Sequence, residues 1–446
     1  MIRRFRPLLA LLFSCLCLAD PASAATDKRQ LPDYDGRGGP PTTPGDVLLW
    51  GPRILLLPPY FVSEYILRRP LGYAIAGAER SGLPALLYDF FTFGPDHNAG
   101  VFPTAYIDFG FYPSVGLYGF WNDAFFKGHD LRLRGATWGK NWLSASFAER
   151  FHLDESSNDL FALQASGLRR PDYAFFGIGP ESRKRDEVRY GQDTLKAAGV
   201  LEQGLWGIGS LHAEVGVQSV DFNPGGIRDE KLLDEAIADG SLPRPPGYAR
   251  GYTLVRSAAT ATVDSRRPRP APGSGVRFGA GAVHGADVRA ESSFIRYGAS
   301  LTGFLDLNDK QRVLSLTVGG RFADPIGSNA EVPFTELVTL GGTEPMRGFV
   351  PGRLVGRSGA VADLAYHWPI WMWLDGSLHA EVGNVFGAHL EDFDPKLLRW
   401  STSIGIESSG LTDAGVQVLL GVGSETFDSG SKIDSIRFLF GTTNGF

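Results

Sequence analysis

The sequence contains very little cysteine. Its 446 residues include two, Cys15 and Cys17, and both lie within residues 1–24. This segment begins with basic residues, continues as an apolar stretch and ends in Ala-Ser-Ala, which is the pattern of a cleaved secretory signal peptide. We therefore expect an exported chain whose mature form has no disulfide and no thiolate chemistry.

Two other interpretations of residues 1–24 remain open. Cys15 could be acylated as in a lipoprotein, although Phe13 and the apolar residues that follow the cysteine argue against it. Arg3 and Arg4 point to twin-arginine export, but the flanking pattern of that signal is absent.

The chain has no excess of basic residues. Its formal charge is −6, and it becomes −8 without residues 1–24, which hold three Arg and one Asp. Proteins that bind the phosphate backbone of nucleic acids carry a basic surface. The sequence therefore predicts no nucleic-acid partner.

Motifs for catalysis and cofactor binding are also missing. The sequence has no G-x-S-x-G, no P-loop and no G-x-G-x-x-G. His-x-Glu occurs twice, within the heptapeptide SLHAEVG at 210–216 and 377–383. A pair of metal sites is one interpretation, and two barrel-wall strands with the same polarity is the other, which we favour. We expect no enzyme activity, no metal and no cofactor.

No apolar run after the signal is long enough for a transmembrane helix. Residues 25–45 form a polar leader rich in Pro and Gly. Residues 46–93 are more apolar, but charges and prolines interrupt them before about 18 residues accumulate. We expect 25–93 to be this leader plus short amphipathic periplasmic helices, either at a membrane interface or packed as a cap on the protein itself.

From about residue 99 onward, apolar and polar side chains alternate with a period of two. In Gly376–Phe386, one face carries Leu378, Ala380 and Val382, and the other carries His379, Glu381 and Gly383. A soluble β-sandwich also alternates, but here the pattern continues through about 350 residues of an exported chain without disulfides. That combination predicts a transmembrane β-barrel over 94–446, apolar outside and polar inside.

The alternating segments predict sixteen antiparallel strands. We place them near 99–109, 114–124, 129–138, 142–151, 158–168, 187–202, 206–220, 250–264, 274–288, 293–307, 310–323, 358–368, 376–386, 398–408, 413–424 and 434–446. An even number puts both chain ends on the periplasmic side. The longest connections, 169–186, 221–249 and 324–357, are then outer loops.

The last predicted strand ends on an aromatic residue. Phe438, Phe440 and Phe446 share its outward face, and Phe446 is the final residue of the chain. This resembles the C-terminal recognition signal of outer-membrane barrels. Gly441 weakens strand pairing, so we expect these four residues to mark the strand that closes the barrel.

An unusual segment, GGTEPMRGFVPGR, occupies residues 341–353 within the last long outer loop. Its Gly and Pro content suits a turn better than a strand. Its tip, Met346-Arg347-Gly348-Phe349, resembles the Val/Ile-Arg-Gly-Phe/Tyr tip of the BamA/TamA superfamily, the bacterial surface antigen family. Because POTRA modules need about 75 residues each, the chain resembles a barrel of that superfamily without them.

Two predicted strands that follow the loop add to the resemblance. In HAEVGNVF, residues 379–386, Glu381 and Gly383 stand where the family has the Asp and Gly of Phe-x-Asp-x-Gly, and His379 replaces the Phe. Residues 362–371, ADLAYHWPIW, look like the family's Glu-Leu-Arg-Phe-Pro-Ile segment. Ala365 and His367 occupy the expected Glu and Arg positions, so Asp363 is the acidic group that would take over the role of the Glu. The resemblance implies that the loop folds into the lumen.

The resemblance also implies which wall residues receive the loop tip. Arg347 would meet Glu381, with Asp363 as a secondary partner, because a guanidinium inside a barrel needs an acceptor and a carboxylate is the best one. The alternative is a solvated arginine in an ordinary surface loop. Gly348 would permit the tight turn, and Phe349 would pack on the wall.

The function implied by the resemblance is insertion or translocation of proteins at the bacterial outer membrane. Its partners would be outer-membrane lipids, unfolded outer-membrane proteins and periplasmic accessory proteins. The alternative function is a passive pore or structural barrel whose lumen the Arg347 loop partly plugs.

Overall fold

The computed structural model describes most of the chain. The described residues are Tyr73, Gly77, 80–154, 159–227, 229–266, 273–307, 311–328, 330–343, 345–371, 374–408 and 415–442. The predicted signal peptide 1–24, nearly all of the segment 25–79, and Phe446 lie outside them. No helix within the described ranges is long and apolar enough to cross a membrane.

Within these residues, sixteen strands pair antiparallel in chain order and close into a barrel, as the sequence predicted. The strands are β1 Ala99–Asp108, β2 Ser114–Trp121, β3 His129–Thr137, β4 Leu143–His152, β5 Leu160–Phe175, β6 Val188–Leu205, β7 Gly209–Asn223, β8 Tyr252–Asp264, β9 Gly275–Asp287, β10 Ser292–Asp306, β11 Val313–Ile326, β12 Ser358–Trp371, β13 Leu374–Phe386, β14 Arg399–Ser408, β15 Val416–Ser424 and β16 Ile433–Thr442.

The alternation of side chains explains why these strands form a barrel. On β13, Ala380 and Val382 are exposed on the outer surface, whereas His379 and Glu381 are buried in the lumen. On β6, Leu195 is 67% exposed and faces outward. Successive side chains of a strand point to opposite faces, so the apolar face meets lipid and the polar face lines the lumen.

The strand boundaries differ most from the prediction at β5. This strand was expected to end at residue 168, but it continues to Phe175, with Tyr173 stacked on Tyr190 of β6. The extension contains Pro171, which cannot donate a backbone hydrogen bond. The strand accommodates it with a register shift between Arg170 and Tyr173, as a β-bulge does. The loop after β5 is therefore shorter than predicted.

One end of the barrel holds a large apolar cluster. We call the end where β1 begins proximal and the opposite end, which holds this cluster, distal. Phe334 lies in the centre of the cluster and packs against the rings of Phe175, Tyr190 and Phe222, each at 5.3 Å between centroids. A short helix, α2 (Leu233–Ala238), adds two fully buried side chains to the cluster. The predicted loop 221–249 thus contains a helix that the sequence analysis did not predict.

Two further elements complete the described fold. A short hairpin pairs Val338–Leu340 with Leu354–Gly356, and we call it the lumen hairpin. Before the barrel, a helix (α1, Leu83–Phe91) leads into Thr92–Phe93, which pair with Gly100 and Ala99 of β1. The structure describes only this last part of 46–93, so the short periplasmic helices remain a prediction.

Candidate functional site

The segment with the Arg-Gly-Phe tip connects the two strands of the lumen hairpin and lies against the inner wall. We call residues 341–353 the lumen loop. Gly341 and Gly342 have φ values of 95° and 70°, and Met346 has a φ of 71°. The Gly342 N–H donates to the Phe349 carbonyl at 2.9 Å, and the Phe349 N–H donates to the Met346 carbonyl at 3.0 Å. The tip is therefore a tight turn with its own hydrogen bonds.

Glu381 of β13 binds the backbone of this tip. One carboxylate oxygen accepts from the Met346 N–H, and the other accepts from the Arg347 N–H, both at 2.8 Å. The Ser401 hydroxyl donates to Glu381 at 2.8 Å and accepts from the Gly348 N–H at 2.9 Å. Successive backbone N–H groups in a turn form a concave anion site, and Glu381 fills it with a side chain that is 0% exposed.

Glycines bring the loop backbone against β15. A Cβ on Gly348 would lie 2.1 Å from the carbonyl oxygen of Val422, and one on Gly421 would lie 2.8 Å from the Cα of Gly348. A Cβ on Gly423 would collide with the ring of Phe349 at 2.6 Å. Close backbone approach is the property that glycine uniquely allows. These residues of β15 form the seat of the loop, and Phe349 is completely buried there.

The Arg347 side chain lies within ion-pair distance of both predicted carboxylates, but its nearest partner is a third residue. Its Nη1 lies 2.6 Å from Nδ1 of His379, but 3.7 Å from Asp363 and 3.9 Å from Glu381. Glu381 is therefore no bidentate partner of the guanidinium, because its oxygens are occupied by backbone N–H groups. Asp363 also lies 3.0 Å from Nδ1 of His379. His379, which replaces an expected Phe, thus stands between the arginine and the aspartate.

Three of these wall residues bring possible metal-binding atoms together. One atom each from Asp363, His379 and Glu381 lies within 4.8 Å of the others. However, Glu381 is saturated by the loop backbone and Ser401, and the Arg347 cation lies beside His379. A metal ion would have to displace a guanidinium and break backbone hydrogen bonds. The arrangement fits a charged hydrogen-bond network better than a metal centre.

Comparison with known proteins identifies the family. Residues 183–410 match the Omp85 superfamily domain, which is slightly more than half of the chain. The chain belongs to the Omp85 superfamily. No curated protein matches its sequence.

Two solved structures resemble this Omp85 chain. BamA from Haemophilus ducreyi lacking POTRA domains 1–3 is 15% identical and has a TM-score of 0.53, covering 77% of this chain and 70% of that chain. CdiB from Acinetobacter baumannii is 11% identical with a TM-score of 0.48, covering 77% of this chain and 59% of that one. The first of these likenesses supports the barrel fold. As an Omp85 barrel, the chain is an integral outer-membrane protein.

Apart from Phe446, which lies outside the described residues, the remaining predicted site residues of this Omp85 protein lie on two strands. Gly383 of β13 has Ala360 directly beside it, since a Cβ there would lie 2.5 Å from the Ala360 carbonyl oxygen. Phe438, Phe440 and Gly441 lie on β16. A Cβ on Gly441 would lie 2.6 Å from the ring of Tyr106 on β1, so this glycine allows the first and last strands to approach each other.

We call the junction between β16 and β1 of this Omp85 barrel the seam. Within the described residues it has three residue pairs, Leu439–Asp108, Phe440–Ile107 and Gly441–Tyr106. Residues 443–446, which follow β16, lie outside the described residues. Beyond the three pairs, the Phe109 N–H donates to the Phe438 carbonyl at 3.0 Å. The described part of the seam therefore closes the barrel through three residue pairs and this additional hydrogen bond.

Sequence reasoning missed two residues that the Omp85 site uses. Ser401 on β14 binds both Glu381 and the loop tip, as described above. Arg437 on β16 is 1% exposed and binds Asp108 of β1. The pattern contained a signal for Arg437, because it alternates with Ile436 and Phe438 and therefore had to point into the lumen. An isolated serine carries no comparable signal.

Proposed function

We propose that this Omp85 barrel inserts or translocates proteins at the outer membrane, and that a substrate strand pairs at the seam. The observation that carries the proposal is that, within the described residues, β16 pairs with β1 at three positions, one of them the pairing-weakening Gly441. A β-strand edge that gives up few hydrogen bonds on opening is a suitable site for strand addition. No enzymatic step is part of this proposal.

The organisation of the rest of the chain follows from the same proposal. Residues 1–24 would be removed on export, and the proximal end of the barrel would face the periplasm. There, 46–93 would form its short helices, and unfolded outer-membrane proteins with their periplasmic accessory proteins would arrive. Around the barrel, outer-membrane lipids contact the apolar face that includes Leu195 and Val215.

The lumen loop would serve this function by holding the wall next to the seam. Its tip is bound to β13 through Glu381, to β14 through Ser401 and to β15 through the glycine seat. These strands precede β16 directly. We propose that Arg347, Gly348 and Phe349 act by fixing this part of the wall, with Glu381, Asp363 and Gly383 as the residues that receive them, while Phe438, Phe440, Gly441 and Phe446 form the closing strand.

Site-specific photo-crosslinking in cells tests the proposal. A crosslinker is placed at Ile436 on β16, and a matched control at Val215 on β7, because both face outward and are 69% and 64% exposed. We expect adducts with newly exported barrel proteins from Ile436 and none from Val215. Equal labelling at both positions would contradict a role for the seam.

A passive pore predicts a different result in a second measurement. The purified barrel would show steady single-channel currents, and its depletion would leave the levels of other outer-membrane barrels unchanged. Insertion activity predicts that depletion lowers those levels. The two readouts together distinguish the functions.

A further inference from the structure

Arg437 makes a dense set of buried contacts at the seam. Its Nε donates to the Asp108 carboxylate at 3.1 Å and its Nη2 donates to the same group at 2.8 Å. Both side chains are almost inaccessible, at 1% and 2% exposure. Because Arg437 lies on β16 and Asp108 on β1, this ion pair crosses the seam from the lumen side.

The same guanidinium also binds the lumen loop. Its Nη1 donates to the carbonyl of Gly342 and, at 3.3 Å, to the carbonyl of Arg347. Gly342 precedes the loop tip, and Arg347 lies within it. The fork of the arginine side chain therefore joins the first strand, the last strand and the lumen loop at one point.

Burial makes this connection stronger than a surface ion pair. Hydrogen bonds to charged groups are shorter and stronger than neutral ones, and a buried guanidinium that loses its acceptors has no water to replace them. If the loop leaves its seat, Arg437 loses two carbonyl acceptors. If the seam opens, Arg437 or Asp108 loses its charged partner.

We propose that Arg437 is a positioning residue that couples the lumen loop to the seam, so that the seated loop keeps the seam closed and release of the loop weakens it. This inference rests on the proposed function, because it states what keeps the proposed substrate-pairing site, the seam, closed. Glu381 binds the backbone N–H groups of the same tip and lies more than 30 residues further along the chain. In the described structure, its hydrogen bonds go to the loop and to Ser401, and it contacts neither β1 nor β16. A change at Glu381 must therefore reach the seam through the loop.

Amide hydrogen exchange at the seam measures the coupling without any substrate. The reporter is the Phe109 N–H, whose acceptor is the Phe438 carbonyl on β16, in the purified barrel reconstituted in lipid bilayers. Arg437→Lys keeps the buried charge but cannot reach Asp108 and both carbonyls together. We expect it to lower protection of the reporter by roughly tenfold or more, as expected when hydrogen bonds to a charged group are lost.

The matched control is Arg399→Lys. Arg399 is another buried lumen arginine, with 2% exposure, and it donates to the carbonyls of Pro180, Ser182 and Ser424. It also forms an ion pair with Asp434 at the distal start of β16, at 3.9 Å. None of these belongs to β1 or to the lumen loop. We expect this variant to leave exchange at the seam unchanged.

The coupling itself is tested by Glu381→Ala in both backgrounds. With Arg437 present, releasing the loop should lower seam protection. With Arg437→Lys already made, it should add little, because the link from the loop across the seam to β1 is gone. The loop also contacts β16 through the ion pair of Arg353 with Asp434 at 2.6 Å, but that pair does not reach β1. Additive effects of the two changes, or an unchanged seam in Glu381→Ala, would overturn the proposal.

A second variant covers the case in which Arg437→Lys does not fold. Arg437→Met combined with Asp108→Asn leaves no unpaired buried charge, and boiling-dependent gel mobility reports whether the barrel has formed. Unchanged seam protection in this folded pair would also overturn the proposal. Because no substrate is present, the coupling can hold in a barrel that lacks insertion activity, and insertion activity can exist without the coupling.

Discussion

At the scale of single residues, Glu381 is more important for the lumen loop than Arg347. Glu381 accepts hydrogen bonds from two backbone N–H groups and from Ser401, and it is fully buried. The Arg347 side chain is 28% exposed, and its carboxylate contacts are at 3.7 and 3.9 Å. The resemblance implied a side-chain ion pair between these two residues. The structure has this pair at 3.9 Å, but the shorter contacts of Glu381 are the hydrogen bonds from the loop backbone.

This difference predicts unequal effects of two alanine substitutions. Glu381→Ala should destabilise the seated loop by about 3–5 kcal/mol, the cost of breaking a buried charged network. Arg347→Ala should cost about 1 kcal/mol or less, as for partly exposed ion pairs. Hydrogen exchange of the Met346 and Arg347 amides measures both effects.

The control for this comparison is Glu214→Ala on β7. Glu214 is also a buried lumen carboxylate, paired with Lys196 at 2.7 Å, but it does not contact the loop. A charge swap, Arg347→Glu with Glu381→Arg, should not restore the loop, because an arginine cannot accept from backbone N–H groups. Recovery in the swap would show that the side-chain ion pair dominates after all.

At the scale of elements, the loop and β15 fit together because both backbones lack side chains where they touch. Gly348 lies against the Val422 carbonyl, and Gly421 and Gly423 leave space for the loop backbone and the Phe349 ring. Such a contact tolerates no added atoms. The loop backbone cannot move away from β15 without breaking its hydrogen bonds to Glu381 and Ser401.

Gly348→Ala should therefore unseat the loop. The new Cβ would lie 2.1 Å from a backbone oxygen, and overpacking of this kind costs about 1–3 kcal/mol. Limited proteolysis and hydrogen exchange of the lumen loop should both increase. Gly303→Ala on β10 is the control, because a Cβ there has no atom within 4 Å. Equal behaviour of the two variants would argue against the glycine seat.

The distal aromatic cluster is a second element-scale feature with a measurable contribution. Phe334 is 2% exposed and contacts the rings of three neighbouring elements. Phe334→Ala should lower the stability of the distal end by about 3–5 kcal/mol and increase exchange in α2, while the barrel strands remain protected. Trp206→Ala, at a residue that is 85% exposed, should change stability by no more than about 0.5 kcal/mol.

At the scale of the whole molecule, the sequence predicted the architecture well and the contacts poorly. Strand number and most boundaries followed from the period-two alternation, because each lumen-facing or lipid-facing position must match its environment. The extension of β5 to Phe175 was not predicted. It contains Pro171, which a strand accommodates only with a bulge, and the sequence does not show where a bulge forms. The role of Arg437 was missed because its partners, Asp108 and the loop carbonyls, are distant in sequence and meet only when the barrel closes.

The central claim is that the seam between β1 and β16 is the functional junction of the barrel. Closing it covalently tests this most directly, and the mature chain is predicted to have no native cysteine that would interfere. Ile107→Cys with Phe440→Cys places two thiols on a residue pair of the seam, where directly opposite strand positions are close enough for a disulfide. The control pair, Ile404→Cys with Leu420→Cys, crosslinks β14 to β15.

The measurement is the amount of newly exported barrel protein that inserts into the outer membrane of cells carrying each pair under oxidising conditions. The account predicts that the seam crosslink abolishes insertion, that a reductant restores it, and that the β14–β15 crosslink has no effect. Normal insertion with the seam fully crosslinked would contradict the account.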